Sequence, residues 1–193
     1  MFYILLVIPV FSYAGIFFEP LVGVTSGEGT TSYENVESVS HDYSGQLLGA
    51  KIGYVGQSFF TSLGYDLNTA SFNSENNILD AKDEISINYF NLNIGKIMNS
   101  WRFWFGIILT SSLEDLDDAN KSGQFISHNE TFESGSGFLV GLSYKLTQRI
   151  LLNAEYRMWD YDTSYINDNF VSNFELMELS ETAVFISIPF GIY

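Results

Sequence analysis

The chain has 193 residues, room for one domain and hardly for two. It contains no cysteine, which excludes disulfides, thiolate chemistry, Cys-ligated metals and a lipid-modified N-terminal cysteine. Twenty-three acids against 8 Lys and Arg give a formal net charge of −15, which argues against nucleic acid, whose phosphates need a basic face.

Residues 1–14 read as an export signal. Phe2 to Phe11 is a nearly uninterrupted apolar run, too short to span a bilayer as a helix. Ser12-Tyr13-Ala14 then places small residues where a signal peptidase reads, so cleavage is expected between Ala14 and Gly15, although the usual positive n-region is missing. No later stretch is long and apolar enough for a transmembrane helix.

From residue 15 onward one pattern repeats: a segment of about ten residues with alternating polarity, then a very short turn or a long polar connection. Eight such segments lie near 15–25, 45–55, 59–68, 85–97, 101–111, 135–146, 150–161 and 182–193. About 9–11 residues is the length that a tilted strand needs to cross a bilayer. The connections at 56–58, 98–100 and 147–149 are short, and those at 26–44, 69–84, 112–134 and 162–181 are long. Short turns at one end and long loops at the other are what bacterial outer-membrane barrels show, with both chain ends on the short-turn side.

Alternate positions give an independent indication. Phe18, Val22 and Val24 share one face of the first segment; Phe103, Phe105 and Ile107 of the fifth; Phe138, Val140 and Leu142 of the sixth; Ile186, Ile188 and Phe190 of the last. These faces are expected to meet lipid. The opposite faces mix Gly, hydroxyls and charges, and Glu19, Lys51, Arg102, Lys145, Glu155 and Arg157, with Asp66 as a further candidate, are expected to pair inside the barrel. The interior of an eight-stranded barrel is just filled by side chains, and Trp104 and Trp159 add bulk there. A soluble, ligand-enclosing barrel would show the same period with its faces exchanged. In segment four the apolar face changes parity near Tyr89-Phe90, where a β-bulge would restore both halves. The adjacent Phe59 and Phe60 suit an aromatic girdle at the membrane interface.

Twenty of the 23 acids fall in the four long connections, Asp160 being counted with the last, and only Lys82 and Lys121 offset them. Such loop tips are solvated, or recruit divalent cations or a basic partner. Asp115, Asp117 and Asp118 form the densest carboxylate run, a weak metal motif that lacks the glycine and terminal glutamate of an EF-hand loop. His41, near Asp42 and Ser44, and His128, near Glu130 and Ser134, are the only imidazoles available for hydrolysis, and neither sits in a known nucleophile motif. No cofactor site is read.

The chain resembles the OmpA/OmpX/opacity-type small outer-membrane β-barrels. The resemblance rests on Phe18-Glu19-Pro20-Leu21-Val22-Gly23, Gly49-Ala50-Lys51-Ile52-Gly53-Tyr54, Leu152-Asn153-Ala154-Glu155-Tyr156-Arg157 and the terminal Tyr193, which stands out of phase with its apolar face. It implies outer-membrane lipid and lipopolysaccharide as surroundings, and insertion by the barrel-assembly machinery. The expectation is therefore all-β: an eight-stranded antiparallel up-and-down transmembrane β-barrel over 15–193, monomeric, with periplasmic termini. It would be non-enzymatic and act through acidic extracellular loops. A narrow porin-like channel is the alternative, and a loop-borne lipid-modifying hydrolase a distant third. With no segment after Tyr193, a peptidoglycan tether is not expected.

Overall fold

The computed structural model describes residues 15–33, 36–75, 80–116, 130–166, 169–171 and 176–192. The signal segment, Asp117, Asp118, His128 and Tyr193 lie outside the described residues. The strands are β1 (Gly15–Tyr33), β2 (Val36–Val55), β3 (Phe59–Glu75), β4 (Asp80–Met98), β5 (Trp101–Asp115), β6 (Glu130–Lys145), β7 (Leu151–Tyr161), β8 (Thr163–Ile166), β9 (Asn169–Val171), β10 (Leu176–Ser187) and β11 (Phe190–Ile192). Eight of them pair antiparallel in the order β5-β4-β3-β2-β1-β10-β7-β6, and a β5–β6 ladder closes the ring. Closure leaves no strand edge in the wall, the condition for a sheet to lie in hydrocarbon.

Two small features depart from the plain ring. The hairpin of β8 and β9 hangs from the upper part of β6. β11 continues the line of β10 after a break at Ile188-Pro189, which faces the Glu19-Pro20 stretch of β1. Both prolines lack an N–H, so the ladder thins there, and the Ile188 N–H donating to the Pro20 carbonyl (3.1 Å) bridges the gap.

The strands run well past the expected segments. Residues 26–33 and 36–44, assigned to a loop by their polarity, continue the β1–β2 ladder, with Glu28 opposite Asp42 and Thr30 opposite Ser40. Residues 69–75 and 80–84 likewise extend the β3–β4 pair, and the expected loops after β5 and β7 also hold ladder residues. Strands of 15–20 residues tilted in a barrel rise about 40–50 Å, whereas the apolar band of such a barrel is about 25 Å tall. The barrel is therefore about 15–25 Å taller than such a band, the excess lying on its long-connection side.

This extension explains the parity change in segment four. β4 carries no bulge: Ala81, Asp83, Ile85, Ile87, Tyr89, Asn91 and Asn93 all point inward, while Phe90, Leu92 and Ile94 are exposed. The side chains keep their direction and the medium changes. Within the belt the wall is apolar outside and polar inside; above it, Lys82 and Glu84 face out while Ile85 and Ile87 form a core. β3 repeats the exchange, with Leu63 and Tyr65 outside Asp66, and then Ser71 and Asn73 outside Phe72. The bulge lies on the neighbouring strand. Phe90 faces Thr110 and Asn91 faces Ile108, so Leu109 of β5 is the extra residue. A second irregularity on β6, where Ser134 adopts φ 61°, follows as β5 and β6 re-register.

Candidate functional site

The chemistry-bearing residues meet inside the belt, around Arg157. Inward positions of neighbouring strands stack at one level, and those on opposite walls approach across the narrow lumen. Arg157 is fully buried and uses its whole fork: Nε donates to Glu155 Oε1 (2.6 Å), Nη2 to Asp66 Oδ2 (2.8 Å) and Nη1 to Glu181 Oε1 (3.2 Å). Its guanidinium also lies 4.9 Å from the Tyr89 ring centroid. Glu155 accepts in addition from Lys51 Nζ (3.0 Å) and Trp104 Nε1 (2.9 Å). Glu181 accepts from Asn68 Nδ2 (2.6 Å) and the Tyr89 hydroxyl (3.2 Å). Every one of these charges is desolvated, and multiple charge-assisted bonds are what makes such burial tolerable.

A second cluster closes the short-turn end. Arg102 Nη1 donates to Glu19 Oε2 (3.0 Å), and the Ser187 hydroxyl to Glu19 Oε1 (2.6 Å). Only a void of about 10 Å³ remains between Phe17, Glu19, Lys51, Phe60, Arg102 and Trp104, room for one water at most. Glycine makes this filling possible. A Cβ on Gly141 would strike the Trp104 ring, and one on Gly49 would strike the Asp66 carboxylate. Leu139, directly opposite Arg157, packs at 0% exposure, as do Leu47, Phe72, Ile85, Ile87, Leu113 and Met177 toward the long-connection end.

The structure thus brings Glu19, Lys51, Asp66, Arg102, Glu155 and Arg157 into the interior and leaves Lys145 out. Lys145 has inward parity but stands beyond Ser143, the last buried inward residue of β6, so it is exposed at the rim. Sequence reasoning placed Glu181 and Asp83 in external loops; both are buried inside. The signal was present for Glu181, which shares the parity of Ala183 and Phe185 against the apolar face of Val184 and Ile186. Phe18, Val22, Val24, Phe103, Phe105, Ile107, Phe138, Val140, Leu142, Ile186, Ile188 and Phe190 are all exposed on the outer wall. Trp101, Phe103 and Tyr144 cluster outside near the short turns, Trp101 lying 4.8 Å from Tyr144. Phe59 joins Tyr54 on that outer side, whereas Phe60 turns inward against Phe17 and Trp104, so the adjacent pair divides between the two faces.

Asp115 ends β5, and among the described residues no group of three His, Asp or Glu could hold a metal ion. His41 is no loop residue. It points inward from the part of β2 above the belt, while Asp42 and Ser44 lie on the opposite, exposed face. Its Nε2 meets the Thr31 hydroxyl (2.7 Å), its Nδ1 meets the Ser74 hydroxyl (2.9 Å), and its ring stacks on Phe72 at 4.7 Å. At 1% exposure it offers no face to a substrate.

Burial pushes the His41 pKa down from 6.5 to about 4, because the imidazolium would be desolvated. The folded state therefore favours the neutral ring. Its contribution to stability is complete above pH 6.5 and is lost as pH falls through 4, amounting to about 2–3 kcal/mol. Unfolding free energies from urea titration at pH 7 and pH 4 are expected to differ by that amount more in the wild type than in His41→Gln.

No protein-family model matches the sequence, and no curated protein sequence matches it. Solved structures share its architecture, two of them at TM-scores above 0.5. The chain superposes on Neisserial surface protein A with a TM-score of 0.52 and 16% identity, covering 89% of this chain and 96% of that one. It superposes on the outer membrane protein AlkL, determined in DMPC lipid bilayers, with a TM-score of 0.54 and 16% identity, covering 95% of each chain. The fold is that of the small outer-membrane β-barrels.

Proposed function

We propose that this protein is an integral, monomeric outer-membrane barrel with a sealed lumen, whose acidic extracellular end serves as an interaction surface. The observation that supports the reading is the interior, where a charged network centred on Arg157 and apolar side chains at 0% exposure fill the lumen side of the wall. The exposed apolar belt supports a lipid environment. So does the fold shared with an outer-membrane protein solved in lipid bilayers.

The short-turn rim would face the periplasm. It carries the exposed cations Lys96, Lys145 and Arg149, while exposed carboxylates gather at the other end. Residues 1–14 would direct export, and the barrel-assembly machinery would insert the chain among lipid and lipopolysaccharide. The filled lumen speaks against a solute channel, and the burial of His41 at 1% exposure against hydrolysis.

Conductance across a planar bilayer tests the reading. Reconstituted protein is expected to give no discrete current steps in molar potassium chloride. Regular single-channel openings would replace the sealed barrel with a narrow pore.

A further inference from the structure

The outer wall carries a groove of about 790 Å³ where the apolar belt gives way to the acidic protruding part, spanning β2, β1, β10, β7 and β6. Its upper side is a row of carboxylates, one from each of four adjacent strands: Asp42, Glu28, Glu178 and Asp160. The register makes the row compact. Glu28 stands directly opposite Asp42, Glu178 directly opposite Asp160, and Glu28 and Glu178 are diagonal neighbours across the β1–β10 pair. With strands about 4.8 Å apart, the row is about 14 Å long.

Like charges directly opposite one another destabilise a sheet, and here two such pairs lie side by side. All four side chains are exposed, and among the described residues no Lys or Arg lines the groove. Toward the membrane the groove is floored by Phe138, Tyr156 and Met158, each at least 40% exposed.

We infer that this groove receives an amphipathic, cationic peptide segment lying at the membrane surface. Its amines would neutralise the carboxylate row, and its apolar side chains would cover Phe138, Tyr156 and Met158. Charge complementarity selects the occupant. A single metal ion does not fit, because the carboxylates are spread across four strands and form no ion-holding group. A phosphate-bearing headgroup would be repelled. A chain presenting several amines beside apolar groups answers both halves of the groove. The inference rests on the acidic end being an interaction surface, and names the chemistry that it takes.

The test uses the full barrel in lipid nanodiscs and a fluorescent peptide of alternating lysine and leucine. Glu28→Gln/Glu178→Gln is expected to weaken binding about ten-fold, the loss of two exposed ion pairs. Glu84→Gln/Glu114→Gln, on β4 and β5 outside the groove, is expected to change it less than two-fold. Tyr156→Ser/Met158→Ser is expected to weaken the lysine–leucine peptide and leave the weaker binding of spermine unchanged. All these side chains are exposed, so the variants fold. Equal losses from the two carboxylate doubles would overturn the groove and leave the acidic end as a diffuse attractor. Spermine or calcium binding as tightly as the peptide would overturn the amphipathic occupant. Absence of any peptide binding would remove both the groove and the interaction-surface reading.

Discussion

Replacing Arg157 with methionine is expected to destabilise the folded barrel by about 3–5 kcal/mol, the effect of breaking a buried ion network by removing one partner. The side chain is matched in bulk, so the loss is electrostatic. Asp66, Glu155 and Glu181 each give up a bond of 2.6–3.2 Å, and solvent cannot replace it in a lumen without room. Arg157→Lys is expected to retain part of this, since an ammonium supplies charge but not the fork that reaches three carboxylates from different strands. Adding Asp66→Asn and Glu181→Gln to Arg157→Met is expected to restore much of the loss, because the stranded charges are then gone. Urea unfolding of the barrel in detergent, followed by tryptophan fluorescence, gives the three differences. Arg157→Met at wild-type stability would mean that the network does not hold the barrel.

The exchange of inside and outside along each strand yields the second large effect. Phe72, at 0% exposure above the membrane level, packs with His41 and Tyr43 as in a soluble core, so Phe72→Ala is expected to cost about 3–5 kcal/mol. On the outer wall the sensitivity lies lower. Phe105→Arg in the belt is expected to cost about 2–4 kcal/mol from placing a cation in hydrocarbon. Ser44→Arg, outward-facing on β2 above the belt, is expected to stay within about 0.5 kcal/mol of wild type, as for an ordinary surface position. Unfolding from lipid vesicles measures all three. Equal penalties at Phe105 and Ser44 would place the membrane boundary elsewhere on the wall.

The same exchange decides what could be read from the sequence. The eight strands, the short-turn end and the outward belt were legible because alternation within the membrane sets apolar against polar without interruption, as at Phe103, Phe105 and Ile107. Strand length was not, because outside the membrane the outward face turns polar, and Ser40, Asp42 and Ser44 alternating with His41 and Tyr43 look like loop. That error hid His41, Asp83 and Glu181 from the list of interior residues. Lys145 went the other way, since parity gives the direction of a side chain and not the height at which the lumen ends. The parity change marks the level of the bulge but not its strand, because Leu109 lies across the ladder from Phe90-Asn91. Of the three carboxylates on Arg157 only Glu155, two residues away on the same face, has a local signal; Asp66 lies 91 residues away and Glu181 24.

The most direct test of the account is electrophoresis of the protein extracted from membranes, run boiled and unboiled in detergent. A closed barrel crossing the bilayer with a desolvated ion network inside is expected to resist the detergent, migrate as a compact species unboiled, shift on boiling, and sediment with the outer-membrane fraction. A single mobility under both conditions, with the protein soluble in the periplasm, would contradict it and mean that the exposed apolar belt does not face lipid.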